Sequence, residues 1–213
     1  MRKHYDKIMA ILVIGSIWGA MEIFGYRLLT SLNASHKSPY LFAIAILIMI
    51  AAKRIAPFVG STFPMALIAG FYKVLTFSLP ACGSNAVMAL LLDSAAFEIV
   101  YTLTRTQLET SFWRRTLAAP LIAIIAYLSF GVYAQYINPE ATALSPSFQG
   151  LITYMKTSAV YAAILSLATI HFGFSLGDLA YRSLNATSSR TIVGLSRAIG
   201  LVLALGAWAA RFI

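Results

Sequence analysis

This chain predicts an all-α bundle of six to seven transmembrane helices, on three observations. Its 213 residues are 60% hydrophobic and only 11% charged. Apolar runs near the roughly 20 residues that a membrane span needs recur from end to end. The basic residues gather in short segments between those runs, where they report orientation in the membrane. A soluble domain of this size needs polar surface that the chain lacks. The net charge of +9 is therefore an orientation signal, not a nucleic-acid footprint.

Seven runs read as helices, at about 8–31, 39–56, 61–79, 85–104, 117–136, 150–172 and 191–210. The first follows a basic N-terminus and imitates a signal peptide. It carries no small-x-small cleavage site and continues past Glu22, so it is expected to stay as the first span. The second has a short apolar part, Leu41–Ala52, which Lys53 and Arg54 extend by snorkelling. The third and fifth carry Pro64 and Pro120, each placed in a first turn, where proline is tolerated. The fourth carries Asp93 and stops near Arg105. The sixth carries Lys156 and His171, and the seventh Arg197. Pro39, Pro57, Pro80, Pro139 and Pro146 fall at or between runs. Residues 1–213 form one membrane domain, a core of about 8–175 plus a C-terminal helix of about 191–210.

With the N-terminus cytoplasmic, ten Lys and Arg fall in inner segments and two in outer ones. That orientation places five intramembrane charges in the outer half, taking about 1.5 Å per helical residue. They are Glu22, Arg27, Lys73, Asp93 and Lys156. Charges in lipid are costly and normally face a partner or a water-filled cavity. The expectation is an outward-facing polar pocket. Trp18, one turn before Glu22, and Tyr154 are candidate wall residues. Three basic and two acidic groups suit a zwitterionic or weakly anionic solute. The alternative stays open: Lys73 and Lys156 serve as structural counter-ions to Glu22 and Asp93. Tyr26, Phe130, Tyr133, Tyr136 and Tyr154 read either as an interfacial belt or as a stacking wall for a flat ring. The outer loops Asn33–Ser38 and Asn138–Gln149 could close over such a pocket.

Catalytic signals are weak. His171 has no paired His for zinc, and neither a Gly-x-Ser-x-Gly elbow nor a Gly-Lys-Ser/Thr phosphate loop is present. Cys82 is the lone cysteine and reads as a small apolar loop residue. No catalytic residue, metal or cofactor is expected, and ATP-driven work would need other subunits.

Gly15-Ser-Ile-Trp-Gly19 is a small-xxx-small pattern, which lets another helix come close. The first helix, through Ala20-Met-Glu22-Ile-Phe-Gly25, together with Lys53-Arg-Ile-Ala-Pro57-Phe-Val-Gly60-Ser61 and Ala69-Gly70-Phe-Tyr-Lys73, resembles the substrate-binding S component of bacterial energy-coupling-factor transporters. The resemblance covers about residues 8–175. It implies a cytoplasmic-membrane protein that binds a vitamin-like micronutrient from outside. It implies a transmembrane coupling subunit and ATPase subunits as partners, with Gly15, Gly19 and Ala20 facing the coupling subunit. The seventh run departs from that family's usual six spans. The rival readings are an accessory subunit of a larger membrane complex and an intramembrane enzyme.

Overall fold

The computed structural model describes residues 2–76, 80–138 and 147–186. It is a bundle of helices, with no strand among those residues. In chain order the elements are α1 (Arg2–Ser31), α2 (Lys37–Ile55), α3 (Thr62–Thr76), α4 (Pro80–Thr110), α5 (Phe112–Val132), α6 (Phe148–Tyr154) and α7 (Val160–Ala186). A π-helical turn, Tyr133–Ile137, extends α5, and a second, Met155–Ala159, joins α6 to α7 in one continuous rod.

Five stretches are long and apolar enough to cross a membrane: Lys7–Ser31, Lys37–Ile55, Asn85–Thr110, Phe112–Ile137 and Phe148–Arg182. Their outward faces carry large apolar side chains, such as Leu103, Leu117 and Phe172, that remain exposed. Inside, Trp18, Ile46, Met49, Phe97, Ile122 and Phe174 are buried in one core. Apolar surface on both sides of each helix is what lipid as solvent demands.

The described part of the third run, α3, starts at Thr62 and reaches Thr76, where the described residues stop. Gly60, with φ +78°, turns the chain just before it. The seventh run, with Arg197, lies outside the described residues. Helix α5 begins earlier than expected, at Phe112, so Pro120 lies inside it and not in its first turn. Proline has no N–H there, which frees the Thr116 carbonyl from its helical bond. Cys82 falls in the first turns of α4 instead of a loop. At the end of α1, Asn33 takes φ +53°, and the Asn33 and Ala34 N–H groups bond back to Thr30 and Leu29. This is the left-handed residue that commonly stops a helix.

Two glycine pairs set the closest helix approaches. A Cβ on Gly19 would sit 2.9 Å from the Tyr72 side chain, and one on Gly15 3.0 Å from Ile68. The small-residue face of α1 is therefore filled by α3 of the same chain. Gly15, Gly19 and Ala20 are all buried, which corrects the expectation that they offer an open face to a separate subunit. Gly173 and Gly177 do the same for α7 on α2, where a Cβ would meet the Leu47 carbonyl at 2.9 Å and the Ala51 Cα at 3.0 Å.

A belt of ion pairs marks one end of the bundle. Arg54 pairs with Asp178 at 2.6 Å and with Glu109 at 3.7 Å, and Arg105 with Glu109 at 3.3 Å. Arg115 stacks over Phe174 at 4.1 Å. This is the end that the loop charges assign to the cytoplasm.

Candidate functional site

Glu22 and Lys73 meet at 2.7 Å, with residue exposures of 4% and 9%. The Gly19–Tyr72 contact one turn away draws α1 and α3 close enough for it. Tyr72 adds a hydrogen bond to the Ser16 hydroxyl at 3.2 Å. Asp93 comes from α4, near enough to interact electrostatically with both Glu22 and Lys73. Its carboxylate forms no ion pair or hydrogen bond with any described residue, and it keeps part of its surface accessible. Yet it lies on the same helical stripe as buried Phe97 and Val100.

Across from Asp93 are two tyrosines. Tyr127 and Tyr154 stack with centroids 5.7 Å apart, and Phe42 packs edge-on against Tyr127. Both tyrosines lie within electrostatic range of Asp93. The Tyr127 hydroxyl shares a 2.9 Å hydrogen bond with Ser38 at the start of α2. Gly131 permits the arrangement, because any side chain there would press on Leu151 and Tyr154.

Two buried polar side chains belong to this half of the bundle and have no partner. The Trp18 indole N–H, one turn before Glu22, is fully buried and unbonded. Both amide atoms of Gln135, in the π-helical turn after α5, are likewise unbonded. A buried polar atom without a partner costs about 1–3 kcal/mol. The Ser61 hydroxyl, just before α3, is a fourth such atom among the described residues, and each is an unmet bond that a native scaffold seldom leaves.

Of the expected site residues, the structure brings together Glu22, Lys73 and Asp93, with Tyr154 beside Asp93 and Trp18 on the same face as Glu22. It does not bring in Arg27 or Lys156, both of which are exposed. Arg27 sits near the end of α1. Lys156 lies on the wall of a groove on the outside of α5 and α7, away from the expected site, and the alternative pairing with Asp93 does not form either. Tyr26 and Tyr136 are exposed as belt residues are, and Lys37 lies over the Tyr26 ring at 4.9 Å. Tyr127 was missed. Its signal was the small-residue face of Ala119, Ala123 and Ala126, which had to be packed and carries Tyr127 inward with it.

A second polar cluster was also missed. Lys53, 2% exposed, pairs with Glu98 at 2.7 Å and donates to the Phe58 carbonyl at 2.7 Å. Glu98 accepts from the Gly60 and Thr62 N–H groups, each at 3.0 Å, and from the Thr62 hydroxyl at 2.8 Å. Thr62 shares a further 2.9 Å bond with Ser94. Glu98 thus caps the N-terminus of α3, where free N–H groups favour an anion. His171 is engaged elsewhere, bonded to Thr116 at 3.1 Å and stacked on Phe112 at 4.1 Å. Among the described residues no group of three His, Cys, Asp or Glu side chains gathers to hold a metal ion.

The fold and site define a helical bundle suited to a membrane, with a polar centre reached from five helical segments. Compared with protein-family models, curated proteins and solved structures, the chain matches none.

Proposed function

We propose that the protein is a solute-binding component of a membrane transport system. It would hold a small, vitamin-like or other micronutrient molecule in the half of the bundle that contains Glu22, Lys73 and Asp93. Coupling and ATPase subunits would be separate proteins, and the membrane a bacterial cytoplasmic membrane. The resemblance of α1 and of the α2–α3 segment to energy-coupling-factor S components supports this reading. The observation that carries it is the unpaired Asp93 carboxylate beside two stacked tyrosines, with the Trp18 and Gln135 polar atoms unsatisfied nearby. A bound solute supplies the missing partners. Arg27 and Lys156 are exposed, and the groups gathered around Glu22 are two carboxyl groups and one ammonium. That balance favours a solute with a positive or hydrogen-bond-donating group over the zwitterionic or weakly anionic one expected from the sequence. A flat ring on the tyrosines would add stacking or cation–π energy.

The test is to purify the full chain in mild detergent and identify small molecules released on denaturation by untargeted mass spectrometry. The parent should release a defined solute that Asp93→Asn does not retain, at unchanged fold and yield. Equal release from both, or no solute and obligatory co-purification with a partner subunit, would replace this reading with the accessory-subunit one.

A further inference from the structure

A groove of about 430 Å³ runs along the outside of the bundle between α5 and the α6–α7 rod. Its wall includes Pro120 and Ile124 from α5, and Ala159, Ala163 and Leu167 from the rod. Lys156 is the one charged residue in that wall. It is exposed and bonds to no described residue.

The position of Lys156 is set by the belt at the other end. From Asp178 to Lys156 the rod is about 33 Å long at 1.5 Å per residue, close to the roughly 30 Å of hydrocarbon in a bilayer. With Asp178 at one boundary, Lys156 lies at the other. From Lys156 to Leu167 the groove runs inward for about 16 Å, close to half the hydrocarbon thickness of roughly 30 Å. A channel one leaflet deep, apolar along its length and cationic at its lip, has the shape and charge of one lipid chain below an anionic headgroup.

We infer that this groove binds an anionic phospholipid of the leaflet on the Lys156 side, with an acyl chain along α5 and α7 and the phosphate at Lys156. The competing occupant from the same chain, the apolar run 191–210, has no acidic residue to answer Lys156. A zwitterionic lipid would fill the groove but bring an ammonium group next to the lysine. The inference is independent of the solute site, because Glu22, Lys73 and Asp93 are not among the described residues that line the groove.

Native mass spectrometry of the full chain in detergent tests it, with phosphatidylglycerol and phosphatidylcholine of identical chains added in equal amounts. The parent should retain phosphatidylglycerol about five-fold better, the factor that one lysine near a membrane surface gives. Lys156→Gln should bring the ratio to about one while still retaining lipid. Val160→Trp fills the groove from an exposed position that the fold does not need, and should lower retention of both lipids several-fold. A ratio of one in the parent, a preference that survives Lys156→Gln, or retention unchanged in Val160→Trp would each overturn the inference. So would a stable dimer that Val160→Trp dissociates, because a second copy would then own the groove.

Discussion

Two buried ion pairs occupy this bundle and differ in what surrounds them. At Lys53–Glu98 both charges are engaged, and the carboxylate alone receives an ammonium, two backbone N–H groups and a hydroxyl, although the neighbouring Ser61 hydroxyl is buried without a partner. At Glu22–Lys73 the pair is just as short, but Asp93 beside it is unpaired and Trp18 is left with a free N–H. A saturated network stabilises one backbone arrangement and leaves nothing for a ligand to do. An unsaturated one costs stability until something arrives. Each region holds a buried polar atom without a partner, Ser61 in one and Trp18 in the other, so what separates them is the third charge, Asp93, which pairs with no described residue.

Breaking the saturated cluster should give the largest stability effect. Glu98→Ala strands the Lys53 ammonium and uncaps α3. It is expected to cost about 3–5 kcal/mol, read as a lowered thermal midpoint in detergent, while solute release from the surviving folded fraction is unchanged. A variant as stable as the parent would remove the basis of the contrast.

Next come Glu22→Gln and Lys73→Met. Each alone strands one charge and should destabilise by about 3 kcal/mol. The double variant should regain most of that stability and still fail to retain solute. If the double variant is stable and binds normally, this pair is scaffold like its counterpart.

Gly19→Leu probes the contact that positions Glu22. Forcing a leucine against Tyr72 should cost about 1–3 kcal/mol, again as a lowered midpoint. An unchanged midpoint would show that α1 and α3 do not need their close approach. The smallest stability change is expected at Asp93→Asn, about 1 kcal/mol or less in either direction, with the largest loss of solute retention, at least ten-fold. A large drop in midpoint with retention intact would reverse the roles of the two regions.

Most of the fold was legible. The apolar runs located the described helices because lipid demands apolar residues at every outward position. Ends were less legible: α4 and α5 extend beyond their apolar stretches, since a helix does not stop where hydrocarbon does. The start of α3 was read within a residue, although Gly60 and the Glu98 cap, and not hydropathy, hold it there. In the site, Glu22, Lys73 and Asp93 stood out as charges in lipid. Direction around the helix was harder to read, and Lys156 fell on the wrong side of it. Lys53 reads in the sequence as an end-of-helix snorkeller, and nothing in hydropathy ties it to Glu98 on another helix. Gly173 and Gly177 were equally plain as a small-xxx-small pair and were passed over.

The lysine of α3 bears on how the chain enters the membrane during synthesis. Lys73 makes α3 costly to dissolve in lipid alone, since a lysine in a helix core is penalised by about 2.5–3.5 kcal/mol. Helix α1 emerges first and carries Glu22, the carboxylate that neutralises Lys73. Docking of the third helix on the first offsets that penalty, so the pairing that builds the candidate site also lowers the cost of holding Lys73 in the membrane.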